Sequence, residues 1–441
     1  MIGKHGSDRR TVSASGGSRY DCAHGAGTDS ALAGAAGVAP LRVLFVHPSF
    51  PGQFGHIARY LADEAGWECT FASTAEPHEG ERCIRKIRYR PDEKVAKSKH
   101  FLTQDFQDEV SHAAGLHEAL KSVGASVRPD LIVGYTGSGS GLFLRELFPE
   151  TPIIGYVEYF FHPHGSAIDF RPDFPPDERA VLRHVLRNAG LMLQLEDCTA
   201  GYTPTRFQHG LLPEPYRSKV RVIHDGIETA FWKRITRPSG SGDRQRIVTY
   251  AARGLEAMRG FDLFMRVARR IQEEYPNVAF LVAGSDVVQY GSDEAHISED
   301  TFKEHVLAHD DFDLERFRFL GWIPRGDLLQ ILNLSDLHIY LTVPFVLSWS
   351  LLNAMSCGCT ILASDTEPVR EVIRPGENGL LRDFFDVEGL AEAAVRVLED
   401  PEAHRALGSA ARQTVLDRYS LDVVMPEMLS FYREIASAGT A

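Results

Sequence analysis

Two arginines, Arg253 and Arg259, flank the turn in "TYAARGLEAMRGFDLFMRV", where an apolar strand runs into an amphipathic helix. Guanidiniums beside a helix start, whose first N–H groups have no partner in the helix, make a site for a diphosphate. Two solvated surface arginines are the plain alternative. A second turn, in "VPFVLSWSLLNAMSCGC" at 343–359, has the same placement but no charge. If a helix opens at Ser348, the backbone N–H groups of Ser348, Trp349 and Ser350 can hold a phosphate without a charged side chain. An ordinary capped helix would look the same. "TGSGSGLFL" at 136–144 also sets glycines before a helix, but it lacks the lysine of a phosphate-binding P-loop and the spacing of a dinucleotide fingerprint. A tight turn is the simpler expectation there.

These turns need strands to present them. "LRVLFVHPSF" at 41–50 followed by "HIARYLADEAG" is a βα unit. "ECTFAS", "FQDEVSHAAGLHEALKSVG", "PDLIVGYTGSGSGLFLREL", "PIIGYVEY" and "GLMLQL" continue the alternation, and "KVRVIHDGI" at 219–227 closes it. After the polar connection "RPSGSGDRQ" the pattern starts again with "RIVTYAARG" and "VAFLVAG". It then passes a long insert at 285–315 and resumes through "FRFLGWIP", "LHIYLTV" and "TILASD". Such alternation predicts an α/β protein of two doubly wound parallel-sheet lobes. Ligands of such sheets bind beyond the carboxyl ends of the strands, where both turns fall.

The expected organisation is a flexible Gly/Ala/Ser-rich tail at 1–40, a first lobe at 41–228 and a second at 229–419. An amphipathic helix within 420–441 crosses back to the first lobe. With 441 residues the chain is long enough for two cores. A net charge of −13 argues against nucleic acid as partner, and no apolar run nears the roughly 20 residues that span a bilayer. Six cysteines without paired C-x-x-C units fit free thiols in a reducing cytoplasm.

"RVLFVHPSFPGQFGHIARYLADEAG", "KVRVIHDGIET", "ARGLEAMRGFDLFM", "LVAGSD", "FLGWIP", "LLNAMSCGCTILASD" and "EVIRPGENGLL" together resemble, in order, the retaining glycosyltransferases of family 4, over about 41–438. The resemblance implies the GT-B architecture: two Rossmann-like lobes with an acceptor site in the first, a nucleotide-sugar site in the second and chemistry in the cleft. It implies a nucleotide-diphosphate sugar as co-substrate, a sugar-containing or small-molecule acceptor, and neither cofactor nor metal. By the same resemblance Arg253 and Arg259 hold the donor diphosphate, and Trp322 and Ile323 frame the base. Gly52 approaches the phosphate, Gly55 and His56 face the acceptor, and Glu158 and His162 are acceptor-side catalytic candidates. Family members often carry Glu-x7-Glu in the second turn; here those positions are Phe345 and Asn353. Asn353 can still bond a ribose diol. Phe345 cannot replace a carboxylate, which keeps open a catalytically silent nucleotide-sugar-binding protein or a sugar-nucleotide epimerase on the same fold.

Overall fold

The computed structural model describes residues 40–76, 83–95, 100–235 and 244–438. Almost all of the expected tail and most of the "RPSGSGDRQ" connection lie outside them.

Seven parallel strands form the first sheet: β1 (Arg42–Val46), β2 (Glu68–Ser73), β3 (Ile84–Arg88), β4 (Leu131–Tyr135), β5 (Ile153–Tyr156), β6 (Ala200–Thr203) and β7 (Val220–Val222). Their order is β3-β2-β1-β4-β5-β6-β7. The second sheet has six parallel strands: β8 (Arg246–Gly254), β9 (Val278–Ser285), β10 (Phe317–Gly321), β11 (Leu337–Tyr340), β12 (Ile361–Ser364) and β13 (Leu380–Arg382). Its order, β10-β9-β8-β11-β12-β13, repeats the winding of the first. The chain is thus an α/β protein of two doubly wound lobes. Strand order reverses beside β1 and β4 in one sheet and beside β8 and β11 in the other. The loops leaving those four strands are therefore where a ligand crevice belongs.

Each sheet is apolar because both faces are covered. Val43 and Phe45 point to one buried cluster and Leu44 and Val46 to another, as the period of two requires. The helix Leu421–Ala438 joins the first of these clusters through Val424, Met425, Met428, Phe431 and Tyr432. This helix thus follows the second lobe in sequence but packs against the first. One element departs from the sequence expectation: "GLMLQL" lies in a helix, Ala189–Asp197, and the strand is the next segment, "AGYT". A six-residue apolar run is too short for its period to separate the two states.

A strap from the first lobe, 159–174, packs on the second. Tyr159 and Ala167 belong to the second lobe's core, with Phe161, Phe170 and Phe174 against it. Arg171, 3% exposed, donates through Nη1 (2.8 Å) and Nη2 (2.7 Å) to the carboxylate of Asp262 and through Nη1 to the carbonyl of Ala257 (2.9 Å). Asp173 accepts a further bond from the same guanidinium.

Candidate functional site

The loop after β8 makes a 3-10 turn, Ala257–Arg259, before the helix Phe261–Glu274. That turn buries Arg259, which is only 5% exposed. Its Nη1 donates to Thr342 Oγ1 (2.8 Å), the Val346 carbonyl (3.2 Å) and Tyr340 Oη (3.4 Å), all on or after β11. Every one of these acceptors is neutral. Among the described residues no carboxylate pairs with Arg259, and a buried cation without a counter-charge is costly unless an anion completes it. Arg253 is exposed and approaches Tyr290 Oη at 3.5 Å, while the Arg259 guanidinium lies 5.3 Å from the Tyr290 ring centroid. The two arginines thus meet at one tyrosine. Its hydroxyl, together with the field of Glu158 in the other lobe, raises the Arg253 pKa.

Tyr290 is held in place by Glu256, which is fully buried and accepts the backbone N–H groups of Gln289 (2.7 Å), Tyr290 (2.9 Å) and Gly291 (3.4 Å) on one oxygen. Asp293 fixes the other end by accepting the N–H of Ala257 at 2.7 Å, and burial pushes its carboxyl up to about 6. Nothing in the local pattern around Glu256 marks it as an anchor for a loop 33 residues on.

The uncharged turn leads into the helix Trp349–Ser356, with Ser348 as its N-cap. The expectation of three free amides needs correction. The Ser348 N–H donates to Tyr340 Oη (3.0 Å) and the Ser350 N–H to Ser348 Oγ (3.2 Å). Arg259, Ser348 and Ser350 nevertheless border one small pocket, so positive charge reaches the turn from outside it. The Trp349 side chain crosses to the first lobe. Its indole Nε1 donates to Asp225 Oδ2 (2.9 Å), across the lobes. Asn353 lies on the same helix, 8% exposed, with no protein partner for its side-chain amide among the described residues. Phe345, 7% exposed, lies between Tyr159 of the strap (ring centroids 4.6 Å apart) and Tyr290 (5.3 Å), tilted against both. Trp322 stands 73% exposed beyond the end of β10, and Ile323 packs against the cluster of Ala251, Ala283 and Ile331.

On the facing lobe, Gly52 adopts φ 49°, and a Cβ there would stand 2.5 Å from the His47 ring. Only glycine fits both constraints. Burial holds His47 neutral, its pKa lowered to about 4. Gly55 opens the helix Gly55–Asp63 with its N–H on the Pro51 carbonyl (2.7 Å). His56 does not cap that helix: its Nε2 contacts the Asp225 carbonyl at 2.6 Å, and its ring meets Trp349 edge-on.

Glu158 accepts from Gln53 Nε2 (2.8 Å) and Tyr135 Oη (2.6 Å) and lines a cleft cavity of about 430 Å³. Tyr290, Phe345, Arg187, Glu109 and His112 share that cavity. Burial pushes the Glu109 carboxyl up to about 7. Its chain fits because Gly139, at φ 69°, leaves the room that a Cβ would take 2.2 Å from Glu109 Cβ. His162 does not join Glu158. It lines the neighbouring cavity of about 130 Å³, with Nε2 on the Leu211 carbonyl (2.8 Å).

Asp225 was not apparent from the sequence, where "HDGI" reads as the end of a strand. Its buried carboxylate accepts from Trp349 and from Tyr156 Oη (3.2 Å), while Oδ1 has no partner among the described residues. Burial pushes this carboxyl up to about 7, against the opposing effect of the two hydrogen bonds.

A family model described as the glycosyl transferase family 4 group matches residues 65–232, and one described as glycosyl transferases group 1 matches 233–414. This chain belongs to the family 4, group 1 glycosyltransferases. It is 29% identical over 121 residues to the N-acetyl-alpha-D-glucosaminyl L-malate synthase of Bacillus anthracis, covering 27% of this chain and 31% of that protein. It is 24% identical over 221 residues to the phosphatidyl-myo-inositol mannosyltransferase of Mycolicibacterium smegmatis, covering 49% and 52%. The chain spans about half or less of the length of these curated relatives. Sucrose-phosphate synthase from Thermosynechococcus elongatus shares the fold with a TM-score of 0.67 at 19% identity, over 90% of this chain and 100% of that one. Anabaena HepE, solved with UDP-glucose, does so at 0.61 and 16%, over 90% and 99%. The GT-B architecture is therefore shared at low identity.

Proposed function

We propose that this glycosyltransferase moves a sugar from a nucleoside-diphosphate sugar to an acceptor hydroxyl with retention of anomeric configuration. The observation that carries this is Arg259, a buried guanidinium whose partners among the described residues are all neutral, at the β8/β11 switch point. A diphosphate would supply the missing counter-charge, with Arg253 reaching the same group from across Tyr290. Family membership and the UDP-glucose bound by Anabaena HepE support the same donor class.

As the bond from the anomeric carbon to the leaving phosphate oxygen breaks, negative charge grows on the diphosphate, where preorganised cations act with greatest effect. The acceptor oxygen forms its bond to that carbon on the same face, and its proton passes to the leaving phosphate. Configuration is then retained without a covalent enzyme intermediate. The route needs no carboxylate at the position of Phe345 and no metal at the diphosphate. The facing cavity beside Glu158 is our candidate acceptor site. No helix among the described residues is long and apolar enough to cross a membrane. We assign the protein to the cytoplasm, in keeping with the buried free thiols of Cys69, Cys198 and Cys357.

The test is incubation with UDP-, GDP-, ADP- and TDP-sugars and an acceptor panel in EDTA, with the product anomer read by NMR coupling. Transfer with the donor's anomeric configuration is expected. An inverted product refutes retention. Nucleotide binding without any turnover favours the silent binding protein suggested by Phe345, and donor conversion without acceptor favours an epimerase.

A further inference from the structure

Beyond Asp293, the insert between β9 and β10 lines neither cleft cavity. It carries instead two imidazoles and a carboxylate in close register. The helix Phe302–His309 places His305 and His309 one turn apart on one face, with ring centroids 4.2 Å apart. Glu299, upstream of the helix, reaches both. Its Oε2 is 2.8 Å from His305 Nδ1 and its Oε1 is 3.7 Å from His309 Nδ1. One potential ligand atom from each of the three side chains lies within 4.8 Å of the others.

We propose that Glu299, His305 and His309 bind a divalent first-row metal ion of the zinc class, at a site separate from the sugar-transfer cleft. Two imidazoles at i,i+4 and one carboxylate are a recurrent three-ligand set for zinc, leaving a fourth position for water. Ligand atoms around a tetrahedral zinc stand roughly 3.3 Å apart, by the bond lengths usual for N and O donors. Closing from the observed spread calls for rotation of His309, whose side chain is 60% exposed and whose Nδ1 would leave the His305 carbonyl that it meets at 2.9 Å. A cavity of about 160 Å³ opens beside both histidines and has room for the water. Its acids, Asp173, Asp262 and Asp310, are neutralised by Arg171, Arg266 and Arg269, so the ion's counter-charge comes from Glu299.

The ion would fasten the approach to the helix onto its last turn. Between them lies Phe302, whose ring meets Phe174 of the first-lobe strap at 5.6 Å. Binding should therefore stiffen the surface on which the strap sits.

Zinc chloride and cobalt chloride titrated into the full chain, prepared without a histidine tag and stripped with EDTA, test this by calorimetry and by the visible bands of tetrahedral cobalt. A single site is expected, weakened at least about tenfold in His309→Gln and Glu299→Gln. Zinc should also raise the melting temperature of the parent chain and leave that of both variants unmoved. His309 is exposed and Glu299 partly so, and equal melting in EDTA confirms that both variants fold. A shallow isotherm over many sites, or a single site indifferent to both substitutions, overturns the proposal.

Discussion

Trp349 Nε1 lies 2.9 Å from Asp225 Oδ2, a bond that joins the first turn of a second-lobe helix to the segment leaving β7. The same aspartate accepts from Tyr156 at the end of β5, and its backbone carbonyl meets His56. Both lobes thus converge on one buried carboxyl with a pKa near 7.

That position makes stability depend on pH. Unfolded, the Asp225 carboxyl releases its proton near pH 4; folded, it keeps it to about 7. Between these values the folded chain binds more protons, so this group's contribution falls as pH rises. Below the window both states are protonated and no cost arises; above it the full cost is present. Asp225→Asn keeps an acceptor for Trp349 and carries no titrating proton. Denaturant unfolding from pH 4 to 8 should show the variant gaining on the parent chain with rising pH, by at most about 4 kcal/mol. Parallel profiles would show that Asp225 stays ionised.

Arg259 predicts a split between stability and activity. A buried guanidinium placed only to hold the fold would lower the melting temperature when removed. One waiting for an anion would not, because its removal also relieves an uncompensated charge. Arg259→Met should keep or raise the melting temperature of the ligand-free protein. It should also lose about 2–4 kcal/mol of transition-state stabilisation in kcat/KM. Arg253→Ala, at the exposed partner, should lose activity in the same range. Less than about a threefold rate change in both variants would remove the diphosphate from this turn.

The parallel lobes and the strand-end turns were legible because each strand is short, apolar on both faces and followed by a polar turn. Arg253 and Arg259 stood out as charges directly beyond such a strand. Partners distant in sequence left no such mark. Glu256 acts on amides of residues 289–291, and Asp225 on an indole at 349. Neither contact has a period or a spacing. The cross-lobe bonds of the Trp349 indole and the His56 ring were hidden for the same reason, since both run to Asp225, far away in sequence. The strap was hidden because its aromatic residues resemble core of the lobe that precedes it, whereas they cover the other one.

The strap gives a third prediction. Arg171 and Asp262 form a buried bidentate pair between the lobes. Removing one partner leaves the other charge buried, which typically costs 3–5 kcal/mol, roughly, whereas removing both costs much less. Arg171→Met should lower the unfolding free energy by about that amount, and adding Asp262→Asn should recover a substantial part. Additive losses in the double-mutant cycle would show that the pair is not coupled.

The last prediction concerns Phe345 and Asn353, which stand where related enzymes often carry acids. Asn353 is nearly buried, and its amide has no protein partner among the described residues, so it is suited to ribose hydroxyls that water cannot reach. Asn353→Ala should weaken nucleotide binding by about 1–3 kcal/mol as those hydroxyls lose a partner. Phe345 lies between Tyr159 and Tyr290 at the wall of the cleft cavity, where an apolar ring favours a less polar sugar face. Its own contribution should appear in turnover rather than in affinity for the bare nucleotide. Phe345→Leu, which keeps most of the buried volume, should lower kcat for the preferred donor while leaving the nucleotide Kd within about twofold. Calorimetric titration of the nucleoside diphosphate alongside steady-state transfer separates the two effects. Unchanged nucleotide affinity in Asn353→Ala would take Asn353 out of the site, and a matching loss of nucleotide affinity in Phe345→Leu would place that ring against the nucleotide instead of the sugar.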